Sequence, residues 1–448
     1  MMNIDEIQQK ATETGVEMHS LMTELYPICR SITGNGVRET LRVIKKSVPM
    51  EIHEVPTGTK VFDWTVPKEW NINDAYIVCP NGKKIAEFKK SNIHVLNYSI
   101  PMRKKMKFSE LMEHLFTLPQ HPDWIPYLTS YYKDNWGFCI SHREYEKLVK
   151  EDNGANADYE VVIDSELKDG SLTYGELYIR GENEDEILIS TYLCHPSLCN
   201  DNLSGVVLAV ELAKQIIALG GKHKFSYRII FIPETIGAIT WLSLNEGRIK
   251  NIKHGLVATC CGDSGKMTYK KSRKGDATID KAVEKILVDS GEPHEIVDFF
   301  PSGSDERQFC SPAFDMPVGS LMRTMYGKFP EYHTSADNLD FVKPEALANT
   351  FACYLRTLNI LENNVTYINQ NPKCEPQLGR RGLYRMIGGQ KDGGNKDAID
   401  ELAVFWVLNQ SDGSNSLLDI ACKSGIKFEQ IRLAADALRD AGLLKEKN

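Results

Sequence analysis

The chain has 448 residues, 42% of them hydrophobic and 25% charged, with a formal net charge of −8 and a pI near 5.8. This suits a globular protein of two or three domains and excludes a disordered chain. The acidic balance points away from nucleic acid or an anionic membrane as the main partner, since both call for a basic surface.

Residues 1 to about 50 carry two helical patterns joined by a Gly-Asn-Gly turn, the second starting near Val37. The opening MMNIDEIQQKATETG lacks the apolar run of a signal peptide, and no stretch is long and apolar enough for a membrane span, so a cytoplasmic protein is expected. Eleven scattered cysteines without CxxC spacing fit reduced thiols, and the adjacent Cys260 and Cys261 read as core.

From Glu54 the character changes to short runs rich in Trp, Val and Ile broken by turns such as Pro-Asn-Gly, which predicts a β-rich insert over residues 54–153. Tyr131, Tyr132, Trp136 and Phe138 read as that insert's own core, with a binding lip over a neighbouring site as the alternative. His94, His121 and His142 read as core as well. After it, YEVVIDSEL and LTYGELYIRG flank Lys-Asp-Gly, which predicts a hairpin.

The stretch from Ile187 to Ala213 organises the rest. A buried-type strand ends at His195; six residues on, Asp201 precedes Asn-Leu-Ser-Gly and a helical pattern beginning at Leu203. Two further apolar strands end near Glu234 and Asp263, and His333 lies in a loop before a helix starting near Lys343. Strands alternating with helices predict an α/β domain with a largely parallel sheet, whose strand ends usually face the ligand. Two histidines and several carboxylates on such ends are what a catalytic zinc site requires. For Asp201 alone the alternative is a helix N-cap.

The order and spacing of these pieces resemble the M28-type zinc aminopeptidases: His195, Asp201-Asn202-Leu203-Ser204-Gly205, Glu234-Thr235-Ile236-Gly237, Asp263, Ser304-Asp305-Glu306-Arg307-Gln308-Phe309 and Tyr332-His333-Thr334-Ser335-Ala336-Asp337. The whole chain is similar to a bacterial group of such proteins with an inserted β domain and a C-terminal winged helix. The resemblance implies an α/β fold, a zinc-aminopeptidase-like (phosphorylase/hydrolase-like) central sheet with helices on both faces. Its discontinuous catalytic domain would take residues 1–53 and 154–370, and the winged helix 371–448.

It further implies that His195, Asp201 and Asp263 hold one zinc, with Asp201 bridging to a second held by His333, and that Glu234 is the general base. The second carboxylate expected after Glu234 is Thr235, a poor ligand, so one or two zinc ions remain open. Cys261 is an equal candidate for the position assigned to Asp263. Asp305 or Glu306 would read a substrate amine, the alternative being a cap on the following helix, and Tyr332 would help polarise the scissile carbonyl.

The C-terminal piece, after a Pro- and Gly-rich connector, shows three helical patterns. From Ala398 to Asn448 it has six Lys or Arg against eight Asp or Glu, a local net charge of −2, so packing or partner binding is favoured over DNA. The expected function is a metal-dependent hydrolase of a peptide or a related small amine-bearing amide, with no membrane partner and room for a homo-oligomer. The alternative is a degenerate peptidase fold that binds a ligand, or regulates through its winged helix.

Overall fold

A computed structural model describes residues 4–383, 386–387, 390–391 and 400–447. The chain forms two compact units, one of Met1–Gly275 with Glu295–Ala352, the other of Asp276–His294 with Cys353–Asn448. Among the described residues no helix is long and apolar enough to cross a membrane.

The first unit is built on an eight-stranded sheet in the order Glu51–Pro56, Ser171–Ile179, Ser226–Ile232, Glu186–Tyr192, Ile252–Ala258, Val318–Met322, Met267–Lys270, His294–Val297. The expected parallel arrangement holds only for the central strands, Ser226–Ile232 through Val318–Met322. Ser171–Ile179 and Met267–Lys270 run antiparallel on either side. All seven residues of Glu186–Tyr192 are buried, because a parallel strand covered on both faces has no solvent side on which to alternate polar residues.

Helix Ile236–Asn245 covers one face and shares a core cluster with Leu188, Tyr192, Ile230 and Ile232. Successive strand residues point to opposite faces, so Ile187, Ile189 and Ile229 aim the other way. There helix Ser204–Ala218 packs on the Glu186–Tyr192 and Ile252–Ala258 strands and is itself covered by helix Ile4–Leu25. Residues Ser204 to Ala213 are buried on every side of that helix, which is why its sequence is apolar all round.

The insert contains a four-stranded antiparallel sheet in the order Lys84–Ile85, Glu69–Val78, Asp158–Lys168, Met102–Lys107. Asp158–Lys168 and Ser171–Ile179 therefore lie in different sheets, and the expected hairpin between them does not form. The turn hands the chain from one sheet to the other. Thr57 clamps Gly170, donating its backbone N–H to the Gly170 carbonyl (2.9 Å) and accepting from the Gly170 N–H at its hydroxyl (3.1 Å). Ser171 N–H donates to Glu69 (3.1 Å). A Cβ at Gly170 would stand 2.3 Å from the Glu69 carboxylate, so the crossing leaves no room for a side chain. Trp136 and Phe138 lie in the insert's core, as expected, whereas Tyr131 packs against the main cluster.

The second unit holds helices Glu401–Gln410, Leu417–Ser424 and Phe428–Asp440 with a small sheet in the order Asp412–Ser416, Thr366–Asn369, Leu444–Glu446. Helix Thr278–Ser290 belongs to it, tied by Lys281 to Asp419 (2.9 Å) and by Phe428 N–H to Asp289 (3.4 Å). Part of the Pro- and Gly-rich connector falls on residues 384–385, 388–389 and 392–399, which lie outside the described residues.

Candidate metal centre

His195, Asp201 and His333 meet beyond the carboxyl ends of the central strands, their ligand atoms all within 4.8 Å of one another. The first two are buried and His333 partly so. Asp201 Oδ1 lies 3.6 Å from His195 Nδ1, and Asp201 Oδ2 lies 2.9 Å from His333 Nε2. Close as they are, His195 Nδ1, Asp201 Oδ2 and His333 Nε2 are buried without an aligned hydrogen-bond partner. Orphaned buried polar atoms are costly, and a cation at the point where these three converge would satisfy them. Two imidazoles and a carboxylate form a donor set that suits zinc.

Burial alone would push the Asp201 carboxyl up, but the neighbouring His195 and His333 hold it well below the usual carboxylate range. Burial works to lower the His195 imidazole, yet Asp201 and Glu234 raise it above its ordinary value. Glu234 Oε2 stands 3.6 Å from His195 Nε2, and burial pushes Glu234 up to about 7 against the pull of His195. A carboxyl tuned toward neutrality beside a metal-ligand cluster has the properties of a general base.

Supports for these groups come from far apart in the chain. Arg30, fully buried, donates Nε to the His195 carbonyl (2.8 Å), and burial lowers its guanidinium to about 10. Asp337 accepts the backbone N–H groups of Asn200 (2.6 Å) and Asp201 (2.9 Å). The Tyr192 hydroxyl donates to Asp201 Oδ1. Asp201 is thus not an N-cap: helix Ser204–Ala218 starts after Leu203 with no side-chain cap.

Thr235, beside Glu234, sits at φ 63, ψ −76, a strained conformation for a β-branched residue. It is clamped by Asp305 Oδ1, which accepts its N–H (2.7 Å), and by Arg307, which donates Nη2 to its hydroxyl (3.0 Å). Asp305 is buried, with its carboxyl pushed well up by burial and by the nearby Glu234.

The structure does not bring Asp263 or Glu306 to this cluster. Asp263 accepts from Asn200 Nδ2 (3.0 Å), the Gly265 N–H (2.7 Å) and both the hydroxyl (2.6 Å) and N–H (3.1 Å) of Thr324, so its oxygens are committed to holding loops together. Glu306 is fully buried against Lys270 (2.6 Å) and Ser320 (2.8 Å). Neither it nor Asp305 caps the short helix Glu306–Phe309 with its side chain. Tyr332 stacks on His333, with ring centroids 4.0 Å apart.

The insert supplies one wall. Tyr127 N–H donates to the His333 carbonyl (2.8 Å), and the N–H groups of Ile125 and Ser335 bond across to the Ser335 hydroxyl (3.0 Å) and the Ile125 carbonyl (2.8 Å). The Tyr127 ring stands edge-on to both His195 (5.3 Å) and His333 (5.1 Å), and its hydroxyl is 3.1 Å from that of Tyr131. Sequence reasoning missed Tyr127, Tyr192 and Arg30; Arg307 and Asp337 each carried a signal as members of the quoted Ser-Asp and Tyr-His-Thr motifs, without a role.

Comparison with known proteins bears on the family and the fold. Residues 19–364 match a family described as a domain of unknown function, DUF4910, and residues 365–446 match a winged helix-turn-helix. A protein of Clostridium acetobutylicum described as a polysaccharide biosynthesis protein with an aminopeptidase-like domain is 58% identical over 445 residues, covering 99% of this chain and all of the relative. A crystal structure of a Clostridium acetobutylicum protein described as a peptidase superposes with a TM-score of 0.92 at 56% identity, covering 99% of this chain and 100% of that one. An M28 peptidase precursor from Shewanella amazonensis reaches 0.56 at 15% identity, covering 80% and 96%. A zinc aminopeptidase from Bacillus subtilis reaches 0.56 at 10%, covering 79% and 94%; at such identities the likeness is one of fold. The chain belongs to the DUF4910 family over residues 19–364, with a fold like that of the M28 peptidases, and carries a winged helix-turn-helix after it.

Proposed function

We propose that this protein is a zinc-dependent hydrolase of the aminopeptidase type that works with one metal ion per chain, held by His195, Asp201 and His333. The reading rests on one observation, the convergence of the His195, Asp201 and His333 ligand atoms with Glu234 beside them. Catalytic zinc sites commonly use three protein ligands. The carboxylate that the resemblance leads one to expect after Glu234, for a second metal, is Thr235 here, and its hydroxyl accepts from Arg307.

A bound zinc supplies a water of lowered pKa and polarises the scissile carbonyl. Glu234 takes the proton of the attacking water as the oxygen adds to the carbonyl carbon. It then returns that proton to the nitrogen as the C–N bond breaks, which leaves the carboxylate as it began. Tyr127 and Tyr131 close the insert side of the site, and Asp305 and Arg307 keep Thr235, and through it Glu234, in place.

The substrate is a peptide or a related amide. The name of the Clostridium acetobutylicum relative directs this to an amide carried on a saccharide precursor. The eleven scattered cysteines lack CxxC spacing, which supports a reducing, cytoplasmic setting. Retention of Glu234 favours catalysis over a degenerate binding role, because a ligand pocket has no need of a base there. The local net charge of −2 from Ala398 to Asn448 supports packing or partner binding over DNA.

The test is metal content per chain for the wild type and His195→Ala, with hydrolysis of a panel of aminoacyl amides and N-acylated amino sugars. About one zinc, lost in the variant together with turnover, is expected. A wild type that binds no supplied zinc and turns over nothing would overturn the proposal.

A further inference from the structure

Three large aromatic side chains stand exposed near the site: Phe62 (49%), Trp64 (37%) and Tyr132 (48%). Two of them lie on a tight hairpin, Lys60–Val61 paired with Trp64–Thr65, that is anchored by the fully buried Val61 in the main core beside Ile236 and Ile239. Trp64 meets Tyr132 edge-to-face at 5.3 Å and Tyr132 meets Tyr131 at 6.4 Å, while Phe62 leans on Phe314 at 5.8 Å. Tyr131 then reaches Tyr127, whose ring abuts His195 and His333. The strip is thus continuous with the wall of the candidate metal centre.

The backbone marks two of the three. Phe62 at φ 57 and Tyr132 at φ 65 lie in the left-handed region, where a bulky side chain is strained and glycine or asparagine would relax the turn. Strain of this kind gathers at ligand clamps. Here it holds two aromatic rings out toward water, where burial offers them no return.

The size of the strip selects its occupant. Aromatic residues carry roughly 150–250 Å² each, so three rings about half exposed offer roughly 300 Å². A protein partner in a stable interface covers about 800 Å² per side. A single ring or short chain of small-molecule dimensions matches the smaller figure. Trp and Tyr offer apolar faces with polar tips, and a pyranose offers a C–H face with hydroxyls at its rim, so both keep their polar atoms in water as they stack.

We infer that Phe62, Trp64 and Tyr132 form a sugar-binding platform that seats the saccharide part of an amide substrate beside the metal centre. This rests on the proposed hydrolase reading for its substrate class, and its test is one of binding. The full-length, zinc-supplemented protein is titrated calorimetrically with triacetylchitotriose and, separately, with the peptide Phe-Gly-Gly, and zinc content is measured for every variant.

Saccharide binding by the wild type is expected, weakened about tenfold in Trp64→Ala and Tyr132→Ala and nearly restored in Trp64→Phe, with zinc unchanged. Phe62→Gly, which relieves the strained turn and so keeps the fold, weakens it as well. No saccharide binding, equal binding by Trp64→Ala, or a Trp64-dependent loss confined to the peptide would overturn the platform. Trp64-dependent saccharide binding by a protein that holds no zinc would uphold the platform and overturn the hydrolase.

Discussion

Replacing Asp337 with asparagine should loosen the metal site while leaving the fold intact. In the native site the two Asp337 oxygens each accept a backbone N–H, from Asn200 at 2.6 Å and Asp201 at 2.9 Å, and so hold the ligand Asp201 by its main chain. Asparagine keeps one acceptor and turns an NH2 group toward the other N–H, leaving that buried donor unpaired at a cost of about 1–3 kcal/mol. Residues that orient metal ligands without touching the metal change affinity by about 10–100-fold when altered. That range corresponds to roughly 1.4–2.8 kcal/mol, the same size as the lost bond. Zinc affinity is measured by competition with a chromophoric chelator at constant pH, with circular dichroism and thermal melting to verify the fold. An affinity within about twofold of wild type, well inside the 10-fold lower bound, would refute the claim that Asp337 holds Asp201 in place.

Glu234→Gln is expected to retain zinc and lose about 10²–10⁴-fold in turnover, read from single-turnover hydrolysis; activity near wild type would remove Glu234 from the base role. Burial pushes the metal-free Glu234 up to about 7, above its unfolded value, so its carboxylate form destabilises the fold increasingly as pH rises through that window. Metal-free Glu234→Gln should therefore melt higher than wild type at pH 8 and not at pH 4, and a pH-independent difference would sink the assignment. A bound cation favours the carboxylate, so zinc binding at pH 7 should release protons, seen as heats that differ between buffers of unlike ionisation enthalpy. Lys270→Met strands the fully buried Glu306 and should cost about 3–5 kcal/mol in urea unfolding, recovered in part by adding Glu306→Gln; no recovery would mean the pair is not coupled.

Much of this protein was legible in the linear chain, for reasons local to each segment. Glu186–Tyr192 announces itself as a buried strand because both of its faces are covered, and the helix from Ser204 because it is buried all round. His195 and Glu234 therefore fall just past strand ends whose neighbours have no use for a polar group, and their spacing to Asp201 carries the family likeness. The C-terminal helices declare themselves by the same periodicity, and their acidic balance is a property of composition alone.

What the fold decided concerns partners far apart in sequence. Asp263 and Asp337 both follow apolar or motif-bearing segments, and nothing local says that one is committed to Thr324 and Gly265 while the other steadies Asp201. Asp158–Lys168 and Ser171–Ile179 alternate like two arms of a hairpin, yet the pairing of Glu69–Val78 with the first and of Ser226–Ile232 with the second puts them in separate sheets. Tyr127 reaches His195 and His333 because the loop around Ile125 bonds to the loop around Ser335, 210 residues away. The sequence by itself determined which segments are strands and helices and where their polar ends fall, because periodicity and burial act over a few residues. Only the tertiary structure decided which of those ends meet, because that depends on strand register and loop path summed over the whole chain.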